Sequence, residues 1–148
     1  MRKYASMLGV TLLEVMLVLA VAAMIIVMSV RYYQSASASQ QTNSMLQMIQ
    51  GIVAVADGLA QGTGSFASGN VSTATVTELM PSQNMTSPWG SAVTLGSVTA
   101  NTYAINIPIM PSAVCYSITS KLGADTRFSG MTGCSANAQD FSVTFTNG

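Results

Sequence analysis

The sequence predicts an α+β fold: one long N-terminal α-helix, membrane-spanning and then amphipathic, packed on a small antiparallel β-sheet head with one or two short helices. Three observations carry this expectation. Residues 10–50 contain neither proline nor glycine, so nothing interrupts a helix over about forty positions. After about residue 60, glycine- and proline-containing turns separate short apolar stretches, the pattern of closely connected strands. Two of those stretches, NTYAINI at 101–107 and FSVTFT at 141–146, alternate apolar and polar residues at period two.

Met1-Arg2-Lys3 opens the chain with positive charge. Val10 to Val30 is apolar except at Thr11, Glu14 and Ser29, and Arg31 closes the run. That length spans a hydrocarbon core as a helix. Basic residues before it put the N terminus on the cytoplasmic side and the remainder outside. An ordinary secretory signal has a shorter apolar core followed by small residues at a cleavage site. ASAS at 36–39 supplies small residues, but that reading gives Glu14 no role. A carboxylate deep in a bilayer costs roughly 3 kcal/mol, so Glu14 calls for a partner.

Beyond the apolar run, 34–44 is polar and rich in small residues, a stretch either solvated or lying between subunits. From Met45 the apolar positions fall at 45, 48/49, 52, 55/56 and 59, the spacing of one buried helical stripe. GLAQGTGSFASGN at 58–70 reads as a loop, and STATVTELM at 72–80 as a short second helix stopped before Pro81. SPWG at 87–90 is a turn, with AVTL after it a strand candidate. In the first alternating strand Tyr103, Ile105 and Ile107 share a face. PSAVCYSITSKLG at 111–123 sets Val114, Ile118 and Leu122 at helical spacing between Pro111 and Gly123. In the last strand Phe141, Val143 and Phe145 alternate with polar neighbours.

Composition narrows the function. Only 7% of residues are charged, five basic against five acidic, and 49% are hydrophobic. Clustered Lys and Arg, which a nucleic-acid surface needs, are missing from the sequence. The chain has no histidine, which removes Ser-His-Asp and Cys-His nucleophile systems and most zinc or iron sites. The remaining carboxylates are scattered rather than paired. The chain therefore does not read as an enzyme, and no cofactor is implied. A surface poor in charge and rich in Ser, Thr and Ala suits a subunit that packs against copies of itself. Trp89 and Tyr103 read as core or interface residues, and the many methionines as adaptable apolar filling.

Cys115 and Cys134 are the only cysteines, and both lie outside the apolar run. In an oxidising compartment a disulfide between them is the natural reading, worth ~3 kcal/mol in the chain-entropy model.

Gly9 followed by Val10-Thr11-Leu12-Leu13-Glu14 and an apolar run resembles the signal of type IV pilins. The non-phenylalanine residue after the glycine, the TLLEV wording and YYQSAS after the run are similar to the type IVb subclass. SPWGSAVTL before a strand, PSAVC at a helix start and a second cysteine before the final strand extend the resemblance through the head. The resemblance implies a leader at 1–9, a membrane and filament-core segment at 10–30, an amphipathic continuation at 31–60 and a pilin head at 61–148. It implies cleavage between Gly9 and Val10 by a prepilin peptidase, with N-methylation of the new Val10 terminus. Glu14 then becomes the fifth residue of the mature chain and pairs with the amino terminus of a neighbouring copy. Type IVa pilins carry a proline where Arg31 stands here.

The implied life history is a precursor in the inner membrane with its head in the periplasm, then an extracellular filament, or fimbrium, of the kind used in cell adhesion. The implied partners are copies of the chain, an inner-membrane assembly platform, an assembly ATPase and an outer-membrane secretin. A minor pilin or a type II secretion pseudopilin shares the signal. From a different class, a signal-anchored periplasmic binding domain predicts a monomeric head on an uncleaved anchor.

Overall fold

The computed structural model describes residues 11–67, 69–81 and 84–147. The fold is α+β, as the sequence predicts. The element order is helix α1 (Leu12–Thr63), helix α2 (Thr73–Leu79), strand β1 (Thr94–Gly96), strand β2 (Thr102–Met110), helix α3 (Ser112–Leu122), strand β3 (Phe128–Ser129) and strand β4 (Gln139–Thr146). The chain divides after Ser37 into two compact units.

In the first unit, α1 exposes nearly every side chain from Leu12 onward, including Leu13, Met16, Leu17, Ile25, Ile26 and Met28. This is the one stretch among the described residues long and apolar enough to cross a membrane, with a mean hydropathy of 2.7 over its best window. Thr11 starts the helix: its backbone oxygen and its Oγ1 both accept from the Glu14 N–H, at 3.0 and 3.3 Å. That is the first half of a capping box, which the T-x-x-E order of Thr11 to Glu14 encodes.

The second unit is built around the other part of α1. Met45, Ile49, Ile52, Val53, Ala56 and Ala60 are buried at helical spacing, close to the expected stripe. Burying a side chain the size of Ile49 contributes about 1.5–3 kcal/mol. Thr42 is buried too, and satisfies its hydroxyl by donating to Ala38 O at 2.8 Å. The helix runs on to Thr63, so Gly58 and Gly62 lie inside it and not in a loop starting at 58. Neither glycine's missing Cβ would meet anything, and burial of Ala56 and Ala60 outweighs the ~1 kcal/mol that each glycine costs a helix.

The sheet has strand order β1-β2-β4-β3, with every neighbour antiparallel. The register sets Tyr103 opposite Phe145, Ile105 opposite Val143 and Ile107 opposite Phe141. The two alternating stretches therefore bury one shared face, and all six residues are in the core. Phe66 closes one end of that core, edge-on to Tyr103 at 5.0 Å between centroids. Helix α2 begins at Ser72, whose side chain accepts from Thr75 N at 3.2 Å. Helix α3 stops at Gly123, where a Cβ would come within 2.9 Å of Thr119 O.

Strand β2 continues through Pro108 to Met110, past the end of its regular alternation. The register to β4 shifts between Ile107 and Met110, and Pro108 tolerates this because a bulge frees it from the ladder. Its carbonyl accepts from Trp89 Nε1 at 2.9 Å. Ile109 takes φ +54°, a left-handed conformation that a β-branched residue adopts only at a cost of about 1–3 kcal/mol. The Asp140 carboxylate holds it there, accepting from Ile109 N–H at 3.1 Å.

Candidate functional site

Three sets of residues stand out, one in the first unit and two in the second. The first is Glu14 on the bare apolar surface of α1, beside a shallow depression formed with Val15, Val18 and Leu19. Among the described residues the one ion pair joins Arg127 to Asp125, so Glu14 meets no basic side chain there. Gly9 and Val10, the expected cleavage site, lie outside the described residues.

The second set is the disulfide. Cys115 and Cys134 are bonded, with Cα atoms 5.8 Å apart, inside the usual range for a bridge. Helix α3 buries Cys115 completely, because that position lies next to Val114 and three residues before Ile118 on the core-facing side. The bridge ties the irregular chain between β3 and β4 to this helix. Tyr116 adds to the tie, donating its hydroxyl to Cys134 O at 3.4 Å.

The third set lies between the helical part of the head and the sheet. Asp57 sits one position past Ala56 in the buried stripe, half-exposed as a residue but with Oδ1 fully covered. Asp57 Oδ1 and the Tyr103 hydroxyl are the buried side-chain oxygens without a hydrogen-bond partner among the described residues. Burial raises the Asp57 pKa above the ordinary carboxylate value, and the Arg127 charge partly offsets this. Burial also raises the Tyr103 pKa, as does the Asp57 charge. Arg127 is held elsewhere. Its Nη2 lies 3.0 Å from Asp125 Oδ2 and its guanidinium 5.5 Å from the Phe145 ring centroid. Hydrogen bonds from Arg127 lower the Asp125 pKa.

These opposed shifts give opposed pH signatures. A carboxyl raised by folding contributes stability below its unfolded pKa and loses it as pH rises through the folded value. Asp125, lowered by folding, contributes above its unfolded pKa and loses that contribution as pH falls. Asp57→Asn mimics the protonated form, so the variant is expected to melt above the parent at neutral pH. The difference should shrink as acidification carries the pH down through the raised pKa of the folded carboxyl, which protonates the parent as well. Thermal melts of parent and variant across that range check this; a variant that melts lower at neutral pH shows that the Asp57 charge is wanted.

Among the described residues no group of three or more His, Cys, Asp and Glu is placed to hold a metal ion. The structure thus joins the two cysteines, while Glu14 belongs to the first unit and they belong to the second. Sequence reading missed Asp57 and Ile109. An aspartate abutting the 52, 56, 60 stripe was the available signal for the first; a lone Pro108 after a strong strand was a fainter one for the second. No family model, curated protein or solved structure matches the chain.

Proposed function

We propose that this chain is the precursor of a structural subunit of a type IV pilus, of the type IVb kind, and not an enzyme. One observation carries the reading. A single carboxylate, Glu14, stands on a helix surface that is otherwise apolar and unburied, five positions after Gly9. An anchor that only holds a head in a membrane gains from that carboxylate no more than a modest help at the helix start, and bears its insertion cost. A helix that leaves the bilayer to bundle with copies of itself gains a partner for it. Cleavage after Gly9 frees an α-amino group on Val10, and a neighbour's Glu14 neutralises it inside an apolar core, where the attraction is strong.

In this reading a prepilin peptidase removes 1–9, and the Val10 terminus is methylated. The platform, the assembly ATPase and the secretin then act on a mature chain of three basic and five acidic side chains, a net side-chain charge of −2. The disulfide-tied head forms the outside of the fibre.

The test is processing and abundance together. Mass analysis of sheared surface fibres should find this chain as a main component beginning at Val10. Replacing Gly9 with a bulky residue such as Trp should leave a membrane-held precursor that migrates with its nine extra residues. Normal cleavage of that variant would remove the assigned site. A full-length chain confined to the membrane would leave only the anchored-head reading.

A further inference from the structure

We propose that Arg31, Tyr32 and Tyr33 form a collar on α1 that binds the phospholipid headgroups of the outer leaflet, the guanidinium on a lipid phosphate and the phenol rings just below it. This rests on the membrane-spanning part of the reading above and not on the fibre.

The three residues follow directly on Val30, the last of the apolar run, and all are exposed, Tyr32 at 79% and Tyr33 at 75%. Successive residues of an α-helix lie about 100° apart, so the three cover about 200° of its circumference within about 3 Å of its length. Gln34 closes the turn. A protein groove meets a helix along one face, and its contacts recur every third or fourth position. A collar at a single level fits a planar boundary that surrounds the helix. Side chains on a helix lean toward its N terminus, so these three lean back over the end of the apolar run.

The chemistry of the three side chains agrees with that boundary. Tyrosine suits a place where one end of a side chain is apolar and the other wet. Arg31 is the only basic residue between Lys3 and Lys121. Among the described residues the one ion pair joins Arg127 to Asp125, so Arg31 meets no carboxylate. A basic residue after the run also opposes the orientation that Arg2 and Lys3 favour. A lipid phosphate offsets this, because the guanidinium fork makes two hydrogen bonds to phosphate oxygens at once. The collar then sets the depth of the span. Seventeen residues separate Glu14 from Arg31, about 26 Å of helix against a hydrocarbon core of ~30 Å. With the collar at the outer headgroups, Glu14 lies within about one turn of the opposite boundary. Between the two, the one polar side chain is Ser29, whose hydroxyl donates to Ile25 O at 2.9 Å and needs no water.

The first experiment reads the phosphate contact directly. The full chain, carrying carbon-13 at the arginine Cζ, is placed in phospholipid vesicles in phosphate-free buffer, and dipolar dephasing by lipid phosphorus-31 is measured. A bidentate pair sets the carbon about 4 Å from phosphorus. A share of the carbon signal should therefore dephase strongly, and Arg31→Gln should remove that share. Equal dephasing in parent and Arg31→Gln would overturn the contact.

The second experiment reads depth. Single thiols at Val30→Cys and Gln34→Cys are labelled in right-side-out membranes with an impermeant maleimide, to which the bonded Cys115 and Cys134 do not respond. Gln34→Cys should react about tenfold faster or more, because Val30→Cys lies below the boundary. Tyr32→Ser with Tyr33→Ser leaves the end of the apolar run polar and removes only the rings. That pair should cut the ratio about threefold or more as the helix loosens in depth. An unchanged ratio would show that the length of the run alone sets depth, and would overturn the collar. An unchanged ratio with fibres lost would assign the rings to contacts between copies instead. Fibres beginning at Val10 without the Arg31–phosphate contact would remove the collar alone. The contact in a chain that never forms fibres would remove the filament reading alone. Two thiols of equal reactivity would remove the span and the collar together.

Discussion

Cys115→Ser is expected to destabilise the head by about 3 kcal/mol or more, and Cys134→Ser by less. Opening the bridge frees an unfolded-state loop of modest length, which the chain-entropy model values at ~3 kcal/mol in either variant. The surroundings then separate the two. Cys115 is completely buried among core residues of α3, so a serine there also buries a hydroxyl, at a further cost of about 1–3 kcal/mol if it finds no acceptor. Cys134 is only half-buried, and its serine stays in reach of water and of Thr119, whose hydroxyl now lies 3.4 Å from its Sγ. Cys115→Ala removes the bridge without burying a hydroxyl and should fall near Cys134→Ser. Denaturant midpoints of the oxidised heads order the three variants. Equal midpoints for parent and Cys115→Ser would show that α3 holds that segment unaided. Free thiols in the oxidised parent would contradict the bridge itself.

The parts of this fold legible in the sequence are those whose partners impose a local period. Tyr103, Ile105 and Ile107 alternate because one face of β2 lies on the core; Phe141, Val143 and Phe145 alternate for the same reason. Val114, Ile118 and Leu122 repeat at helical spacing because α3 buries one side. Strand β3 is only Phe128 and Ser129, too short for any period, and exists because Phe128 pairs opposite Phe145. Gly58 and Gly62 read as loop residues, yet the core contacts of Ala56 and Ala60 carry the helix past them to Thr63. The candidate site divides in the same way. A lone acid in an apolar run and a lone pair of cysteines are visible as residue types. Asp57 Oδ1 is hidden by what the fold places over it, and Ile109 is strained by a register shift between strands, neither of which a single segment encodes.

Glu14→Ala is expected to leave membrane insertion intact or improved, with near-normal cleavage after Gly9, and to yield few or no fibres. The first half follows from transfer energetics: removing a carboxylate from an apolar span relieves at most roughly 3 kcal/mol, the cost at the span's centre, and less near its end where Glu14 stands. The second follows from the pairing proposed for the assembled state. There the alanine variant loses the attraction and leaves a neighbour's amino terminus buried without a counter-charge, the more costly of the two effects. Glu14 has a competing local role, because it stands at the third position of a helix whose first turn Thr11 caps. An acid in that turn favours the helix start by about 0.3–1 kcal/mol at exposed sites. Glu14→Gln separates the two roles, since glutamine also serves in a capping box but carries no charge. If the charge pair is what matters, Glu14→Gln should assemble as poorly as Glu14→Ala at equal membrane levels. Fibres restored by glutamine but not by alanine would assign Glu14 to the helix start and not to a neighbour's terminus. Abundant fibres from both variants would end the pairing proposal, leaving the bare apolar face of α1 alone to hold the bundle.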